Sequence, residues 1–321
     1  MPRNLVLLDS ELNFVKLIET ASLDGKQTSR VSAVYDAAPR QSFIVALKDL
    51  PELWEISYNP KAEPIHDGYV HDFRMGEAIA KNGYLGVRRT PLSQPLDDFF
   101  FDPPYKHVIG AGRPAAAIKP ASAASASSGA ASGATSASSN LAAEEPSAQV
   151  INLDARQRVA TLPLPGMPHL GSGISFSREG RRLLASPNLK DGRISVVDLQ
   201  SWQLVKEIAT PGPGFFMRSH ARSPYAWADS MMSPTARDTL SIIDKRSLEV
   251  VAQVREPGKT LAHVEFTKDG RYVLASLWEM DGALIVYDAQ TFKEIKRLPM
   301  SRPVGKYNVA NKIGREEGTS H

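Results

Sequence analysis

Hydrophobic and polar residues alternate along most of the chain in short runs separated by turns. Three segments superpose when their aspartates are aligned: SVVDLQSWQLVKEI from Ser195, SIIDKRSLEVVAQV from Ser241 and IVYDAQTFKEIKRL from Ile285. Each has a β-branched run ending in Asp, a short turn with Ser or Thr, and a second alternating run, which is the pattern of a β-hairpin. Two more segments, QVINLDARQRVATL and LVLLDSELNFVKLI, fit the same template. The pattern predicts an all-β protein built from repeated hairpins.

The spacing of the hairpins predicts how they are arranged. The aligned aspartates recur at positions 154, 198, 244 and 288, so the steps are 44, 46 and 44 residues. Between successive hairpins lie a glycine bend and another apolar run, as in FSREGRRLLASPN and FTKDGRYVLASLW. Four short strands in about 45 residues is the period of a β-propeller blade, whereas a two-sheet sandwich lacks such self-similarity. We therefore predict a β-propeller of four-stranded blades.

The first half of the chain fits this repeat less regularly. SFIVALKDLPELWEISY supplies two further strands, and the hairpin from Leu5 is the second half of a blade. About five whole blades and part of another are expected. They occupy residues 1–112 and 149–321 of one domain, and an Ala/Ser-rich, disordered insertion occupies residues 113–148. Because an open propeller exposes strand edges, we expect an upstream portion to be lost, encoded separately or replaced by a partner.

Composition narrows the classes of partner. The 321 residues include 38 basic and 35 acidic side chains, with no basic stripe suited to a phosphate backbone, so we expect no nucleic acid partner. The chain has no cysteine, which excludes a disulfide and the CxxCH attachment of a c-type haem within it. The first residues lack a signal-peptide pattern and no run of about 18 apolar residues occurs, so we expect neither an export signal nor a membrane span.

Two of the histidines lie in contexts that suggest a ligand. His71 lies in DGYVHDFRMGE, and His169 lies in GMPHLGSG, where glycines expose the backbone beside an imidazole. Each falls near the predicted start of a blade, so we expect both rings at one end of the propeller, where they would hold iron or an iron-bound substrate. Hydrogen-bonded structural histidines are the alternative interpretation.

Aromatic residues form the second candidate group. GPGFFMRSH combines two phenylalanines with Arg218 and His220. This motif predicts either aromatic walls and a cation for a flat acidic ligand, or an ordinary blade core with a surface histidine. Trp278 in SLWEM and Tyr307 in GKYNVAN allow the same choice between a ligand-binding wall and a core.

These motifs, in this order, resemble the C-terminal haem d1 propeller of the cytochrome cd1 family. The resemblance covers residues 5–313 apart from the insertion, and it rests on SRVSAVYDAAPRQSFIVALKD, the His-Asp pair at His71, HLGSG, GPGFFMRSH and RPVGKYNVANK. The family includes nitrite reductases, which reduce nitrite to nitric oxide in denitrification, and the dihydro-haem d1 dehydrogenases of haem d1 maturation. The resemblance implies an eight-bladed propeller, N-terminally incomplete in this chain.

The resemblance also implies roles for individual residues. His71 and His169 match the two distal histidines, which are catalytic and bind the cofactor, with His71 as the metal ligand. Arg30 matches an arginine near the acidic side chains of the macrocycle, for which a guanidinium fork is suited. Ser172 stands where the nitrite reductases have arginine, which favours the dehydrogenase. The aromatic wall positions are matched by Phe216, Trp278 and Tyr307.

Partners and a compartment follow from the same resemblance. Haem d1 or dihydro-haem d1 is the expected ligand, a c-type cytochrome is the expected electron donor or acceptor, and the periplasm is the expected location; homodimer formation is left open. The c-type haem domain and the proximal iron ligand of the family belong upstream of this chain. We therefore predict a haem d1-binding propeller of an oxidoreductase, of the dihydro-haem d1 dehydrogenase or the nitrite reductase type. The alternative is a non-catalytic propeller that carries haem or serves as an interaction scaffold.

Overall fold

Nearly all of the regular secondary structure in the described part of the chain is β-strand. A computed structural model describes residues 3–66, 80–112, 148–315 and 317–318. His71 and residues 113–147 of the Ala/Ser-rich insertion lie outside the described residues, so what the sequence predicts for them stays a prediction. Apart from short 3-10 turns, the described secondary structure that is not strand is one short helix, α1 (Val309–Ile313). The predicted all-β class is confirmed.

The described strands form one two-stranded sheet and five four-stranded sheets. The two-stranded sheet pairs β1 (Asn4–Leu8) with β2 (Phe14–Glu19). Blades 1 and 2 consist of β3 (Val31–Ala37), β4 (Ser42–Leu47), β5 (Glu52–Ser57) and β6 (Val87–Pro91), then β7 (Leu96–Phe101), β8 (His107–Gly112), β9 (Ala148–Asn152) and β10 (Gln157–Leu162). Blade 3 consists of β11 (Ile174–Arg178), β12 (Arg181–Pro187), β13 (Arg193–Asp198) and β14 (Gln203–Ala209). Blades 4 and 5 consist of β15 (Met217–Ser219), β16 (Tyr225–Asp229), β17 (Thr239–Asp244) and β18 (Glu249–Arg255), then β19 (Leu261–Phe266), β20 (Tyr272–Leu277), β21 (Ala283–Asp288) and β22 (Glu294–Pro299).

Each blade is an antiparallel meander whose strands follow chain order from the inside of the propeller outwards. The first strands of neighbouring blades contact one another, as β3 does with β7, β11 with β15, and β15 with β19. The innermost strand β19 is buried along its whole length, whereas the outermost strand β22 is exposed along its whole length. This arrangement confirms the predicted propeller of four-stranded blades; the two-stranded sheet precedes the first of them along the chain.

The turn between the third and fourth strands repeats one local structure. In blades 2–5, the side chain of the Asn or Asp that ends the third strand accepts hydrogen bonds from the backbone N–H groups two and three residues later. The residue four positions after that Asn or Asp has a positive φ. In blade 2 this side chain is Asn152, so the alignment on Asp154 was wrong by two residues. Asn and Asp accept these hydrogen bonds equally well, so an alignment on aspartates missed that Asn152 occupies the same position in its blade. Asp154 instead pairs with Arg40 of blade 1 at 2.7 Å. In the other three blades the turn residues are Asp198, Asp244 and Asp288.

The hydrophobic core lies between neighbouring sheets. Trp227 of blade 4 packs in one buried cluster with Val264 and Ile285 of blade 5. Leu7 of the two-stranded sheet packs in another with Trp54 of blade 1. Because neighbouring sheets bury their facing sides against each other, the inner strands are held rigidly and can position side chains at the centre of the propeller.

The C-terminal segment runs across the inner strands. We call residues 303–315 and 317–318 the C-terminal strap. Lys306 Nζ donates a hydrogen bond of 2.7 Å to Ser276 Oγ of blade 5. Further along, the N–H of Gly318 donates to the carbonyl of Ser175 in blade 3, and its carbonyl accepts from the N–H of Ser219 in blade 4, both at 2.8 Å. The strap therefore crosses blades 5, 4 and 3 beside the central channel.

Candidate functional site

Two cavities lie beside the innermost strands. The first has a volume of about 410 Å³, lies between blades 1, 2 and 3, and is called the His169 cavity. The second has a volume of about 240 Å³, lies between blades 4 and 5 and the C-terminal strap, and is called the His263 cavity. The His169 cavity has as its polar lining Ser32, Tyr35, Lys48, Asp97, Asp98 and His169. The His263 cavity has as its ring-bearing lining Phe216, His263, Trp278, Pro303 and Tyr307.

A row of five rings connects the two cavities. The ring centroids are 3.9 Å apart between His169 and Phe215, and 4.6 Å apart between Phe215 and Phe216. They are 4.1 Å apart between Phe216 and His263, and 5.5 Å apart between His263 and Tyr307. Three residues predicted from the sequence, His169, Phe216 and Tyr307, therefore lie along one continuous row, and an imidazole that the sequence analysis did not single out lies between two of them.

The first imidazole of the row is held in one tautomer. His169 precedes a 3-10 turn, Leu170–Ser172, and its Nδ1 lies 2.8 Å from the carbonyl oxygen of Phe215. A carbonyl only accepts hydrogen bonds, so Nδ1 carries the proton and Nε2 of the neutral ring keeps a free lone pair. Nε2 lies 3.6 Å from a carboxylate oxygen of Asp98. His169 thus presents a hydrogen-bond acceptor or metal ligand to its cavity, beside a negative charge.

Gly171 explains why a glycine-rich bend follows this histidine. The N–H of Gly171 donates a hydrogen bond of 2.6 Å to Asp98, and a Cβ at this position would lie 2.5 Å from the same oxygen. Only a residue without a side chain allows the backbone to approach the carboxylate so closely. The hydroxyl of Tyr35 donates to the other oxygen of Asp98 at 3.0 Å, and burial together with that negative charge raises the pKa of Tyr35.

The second imidazole is held in the opposite tautomer. His263 lies in a bulge of β19 with φ of +52°, and its Nδ1 accepts a hydrogen bond of 3.2 Å from the N–H of Lys306. The proton of the neutral ring is therefore on Nε2, which is buried and has no hydrogen-bond partner among the described residues. Burial, together with the positive charges of Lys306 and Arg218, lowers the pKa of His263 to about 3. His263 is therefore uncharged near pH 7, and its Nε2–H group has no acceptor among the described residues.

The other predicted aromatic residues surround this imidazole. Phe216, Trp278 and Tyr307 line the His263 cavity together. Trp278 is 44% exposed and Tyr307 is 56% exposed, so much of each large ring is available to a ligand. Aromatic faces at the mouth of a cavity suit a flat, conjugated molecule.

Buried charges lie behind the aromatic wall. Arg218 is 3% exposed and lies 3.6 Å from Glu265, and burial lowers the pKa of Arg218. Burial also lowers the pKa of Lys306, to about 7, although Glu265 and Asp229 oppose the effect. Burial raises the pKa of Asp229 to about 6. These groups give the inner end of blades 4 and 5 a balanced but dense set of charges, which fixes the electrostatic environment of His263.

The remaining sequence predictions have mixed outcomes. Arg30 pairs with Asp49, with 2.9 Å between its Nε and a carboxylate oxygen, and it does not line either cavity; its predicted contact with an acidic ligand stays a prediction. His220 is buried and bonded to the carbonyl of Lys268 at 3.1 Å. His220 therefore fits the structural interpretation, except that it is a buried and not a surface histidine. Because His71 is outside the described residues, its position relative to His169 is not tested.

His263 had no recognisable signal in the sequence. In LAHVEF it occupies an ordinary apolar strand, and the bulge that turns its ring into the cavity depends on tertiary contacts.

The described ranges hold neither a multi-ligand metal cluster nor a membrane-spanning helix. In residues 3–66, 80–112 and 148–318, excluding residue 316, no group of three or more His, Cys, Asp or Glu side chains is arranged to hold a metal ion. An axial haem ligand needs only one such side chain. Over the same described residues, no helix has the length and apolar character required to cross a bilayer.

Known proteins with similar sequences share this architecture. The chain matches the family model "Cytochrome D1 heme domain" over residues 1–72 and 130–312. A dihydro-heme d1 dehydrogenase from Pseudomonas aeruginosa is 47% identical over 323 residues, which cover 100% of this chain and 55% of that protein. A nitrite reductase from Stutzerimonas stutzeri is 25% identical over 207 residues, which cover 53% of this chain and 37% of that protein.

A solved structure is similar over nearly the whole chain. The structure of dihydro-heme d1 dehydrogenase NirN in complex with DHE superposes with a TM-score of 0.78 and 46% identity, covering 98% of this chain and 56% of that one. The chain thus spans about half the length of the relatives that match it over its full extent.

Proposed function

Because the chain belongs to the cytochrome D1 heme domain family, we propose that it binds a d1-type haem beside the ring row and takes part in the dehydrogenation of dihydro-haem d1. The observation that carries this proposal is the continuous row from His169 to Tyr307, which brings two imidazoles and exposed aromatic faces to the inner ends of the blades. The dehydrogenase is favoured over nitrite reductase because the identity is 47% to the former and 25% to the latter.

The residues present fit a d1-type haem. His169 would hold the haem iron through Nε2, because the hydrogen bond from Nδ1 to the Phe215 carbonyl leaves the lone pair of the neutral ring on Nε2. Trp278 and Tyr307 offer half-exposed rings for the flat macrocycle. His71, predicted as the metal ligand, remains part of the proposal from the family resemblance alone, as does a contact of Arg30 with the acidic side chains of the macrocycle.

We assign His263 and Tyr307 roles in hydrogen bonding and proton transfer, in contrast to the iron-binding role of His169. When bound, dihydro-haem d1 supplies the two electrons and two protons that a dehydrogenation removes. The Nε2–H of His263 has no acceptor in the part of the chain that the structure describes, so we assign it a hydrogen bond to a carboxylate of the ligand. Tyr307 is 56% exposed and its hydroxyl is able both to accept and to donate a hydrogen bond, so in our proposal it passes a proton from the cavity to solvent.

The partners of the reaction belong to the same proposal. The two electrons require an acceptor, and we assign that role to a c-type cytochrome or cytochrome domain, with the periplasm as the compartment. A non-catalytic haem carrier is the alternative, and it differs from the dehydrogenase only in turnover.

The experiment is a titration of the purified chain with dihydro-haem d1, followed by absorption spectroscopy, and then an assay for conversion to haem d1 with oxidised cytochrome c present. We expect saturable binding that His169→Gln alters in spectrum and that Trp278→Leu weakens about tenfold, as expected for the loss of a large aromatic contact.

Matched variants control for general destabilisation. His107→Gln changes a histidine that is paired with Asp102 at 2.7 Å and lines neither cavity, and Trp202→Leu changes a tryptophan in a blade turn. Both controls should bind like the unaltered chain. Absence of binding by the unaltered chain, or equal loss in the control variants, would refute haem binding at the ring row. Binding without conversion would favour the carrier.

A further inference from the structure

We infer that the buried carboxylate of Asp229 is a positioning residue that holds both imidazoles of the ring row in place. The inference deepens the proposed function, on which it rests for the identity of the ligand. The geometry that carries it involves only side chains and backbone of this chain, and it can be tested without any ligand.

Asp229 directly connects the Phe215–Phe216 segment of blade 4 with the bulge at His263 of blade 5. It ends β16 and is 2% exposed. One carboxylate oxygen accepts hydrogen bonds from the N–H groups of Phe215 and Phe216, at 2.8 and 3.2 Å. The other oxygen accepts from the N–H of His263 at 3.2 Å. A single side chain therefore holds the aromatic segment of blade 4 and the bulge of blade 5.

The connection continues to His169 through one residue. The N–H of Phe215 is held by Asp229, and the carbonyl of the same residue accepts the hydrogen bond from His169 Nδ1 at 2.8 Å. A displacement of the Phe215 backbone would move this carbonyl and release the ring of His169. Asp229 thus acts on His169 through Phe215 and on His263 through its backbone N–H.

The bulge at His263 gives the carboxylate a second role. A positive φ in a residue other than glycine is strained, and it persists only where surrounding contacts hold it. The N–H of His263 faces away from the strand ladder in this conformation, and Asp229 supplies its acceptor. Without that acceptor, a buried N–H would be left unpaired, which is unfavourable.

The charges around Asp229 are those of the site itself. Arg218 lies on β15, directly after the Phe215–Phe216 segment, and Lys306 lies on the C-terminal strap. The negative charge of Asp229 interacts with both cations. An ionised carboxylate that is fully buried is costly to keep, and four backbone N–H groups, that of Met231 included, offset this cost. A buried acid with so many backbone partners is suited to fixing backbone geometry.

The test compares two buried aspartates that each hold a histidine. Asp229→Asn keeps the size of the side chain but replaces one acceptor oxygen by an amide that cannot accept. Asp102→Asn is the matched control, because Asp102 is 5% exposed, accepts two backbone N–H groups and contacts His107 at 2.7 Å. The readout is the set of histidine ring signals in an NMR spectrum of histidine-labelled protein, assigned with single His→Gln variants.

The expected result is a crossed pattern. Asp229→Asn should shift the ring signals of His169 and His263 and leave that of His107 unchanged, while Asp102→Asn should do the reverse. Unchanged His169 and His263 signals in a folded Asp229→Asn protein, or equal changes at all three histidines, would overturn the inference.

A second measurement keeps the inference testable if the Asp229→Asn protein does not fold. In the unaltered chain, the amide protons of Phe215, Phe216 and His263 should exchange with deuterium slowly and at similar rates, because they share one acceptor side chain. Fast exchange at Phe215 and Phe216 beside slow exchange at His263 would contradict the inference.

Binding then separates this inference from the proposed function. If the unaltered chain binds dihydro-haem d1, Asp229→Asn should weaken binding about tenfold, with Asp102→Asn within about twofold of the unaltered chain. If the unaltered chain does not bind it, the proposed function fails while the crossed NMR pattern still supports the positioning role.

Discussion

His169 and His263 lie along one row of rings, but their nitrogens are held in opposite ways. His169 donates from Nδ1 to a carbonyl and keeps a free Nε2 beside the carboxylate of Asp98. His263 accepts at Nδ1 from a backbone N–H and keeps its proton on a buried Nε2, close to the cations Lys306 and Arg218. The same side chain is therefore an acceptor in one cavity and a donor in the other.

The difference lies in the backbone partners of the two rings. A neutral imidazole has one donor and one acceptor nitrogen, so fixing the partner of one nitrogen decides what the other can do. A carbonyl of blade 4 fixes His169, and a backbone N–H of the C-terminal strap fixes His263. In our proposal, these partners allow one ring to meet the iron and the other to meet an acidic side chain of the same macrocycle.

Replacing His263 should have the largest effect, and it depends on pH. The folded-state pKa of His263 is lowered to about 3 from its ordinary 6.5. The unfolded chain therefore binds a proton below about pH 6.5 that the folded chain does not bind, and the stability associated with the neutral ring is lost as the pH falls towards about 3. The difference in unfolding free energy between the unaltered chain and His263→Gln should shrink by roughly 3 kcal/mol from about pH 7 to about pH 4. Chemical denaturation at several pH values measures this difference; if it does not vary with pH, His263 is not held neutral.

Gly171→Ala should disturb the other imidazole by a smaller amount. The added Cβ would lie 2.5 Å from Asp98, so the carboxylate or the bend that carries His169 must move. We expect a loss of about 2 kcal/mol in unfolding free energy, together with a shifted ring signal for His169 and an unshifted one for His263. Gly180→Ala is the control, since nothing lies within 4 Å of a Cβ there and only its positive φ is strained. A response at His263 as large as that at His169 would show that the two cavities are not separately held.

Lys306→Met should have the smallest effect, confined to the electrostatics of His263. The ammonium group is the first of the two positive charges that lower the pKa of His263, so its removal should raise that pKa by about one unit. NMR titration of the ring measures the change. Lys245→Met is the matched control, because Lys245 is also a half-buried lysine with a lowered pKa but bonds to the carbonyl of His220. An unchanged pKa in Lys306→Met, or equal changes in both variants, would contradict the electrostatic explanation.

Most of the fold could be predicted from the sequence because each blade repeats the same local pattern. Alternating strands, a turn residue that accepts from the next backbone N–H groups and a glycine bend recur about once per blade, and each is readable from residue types alone. Asp154 was misaligned because Asn152 makes the same turn. Because Asp and Asn side chains accept the same backbone hydrogen bonds in such a turn, only the strand register shows that Asn152, and not Asp154, is the turn residue of blade 2.

The site was predictable only in part. His169, Phe216, Trp278 and Tyr307 lie in motifs with glycines or clustered aromatics, and the structure brings them to the two cavities. His263 depends on a bulge and on the C-terminal strap, which approaches from 43 residues further along the chain. The pairing of Arg30 with Asp49 could not be predicted either, because ion pairs between neighbouring loops leave no periodic signal.

Addition of haem d1 to histidine-labelled protein tests the central claim most directly, because it asks whether both imidazoles meet one ligand. The account predicts that the ring signals of His169 and His263 both shift or broaden as haem d1 is added, at the same ligand concentration, while the signal of His107 stays in place. Changes at only one of the two rings, or at neither while haem d1 binds, would contradict it.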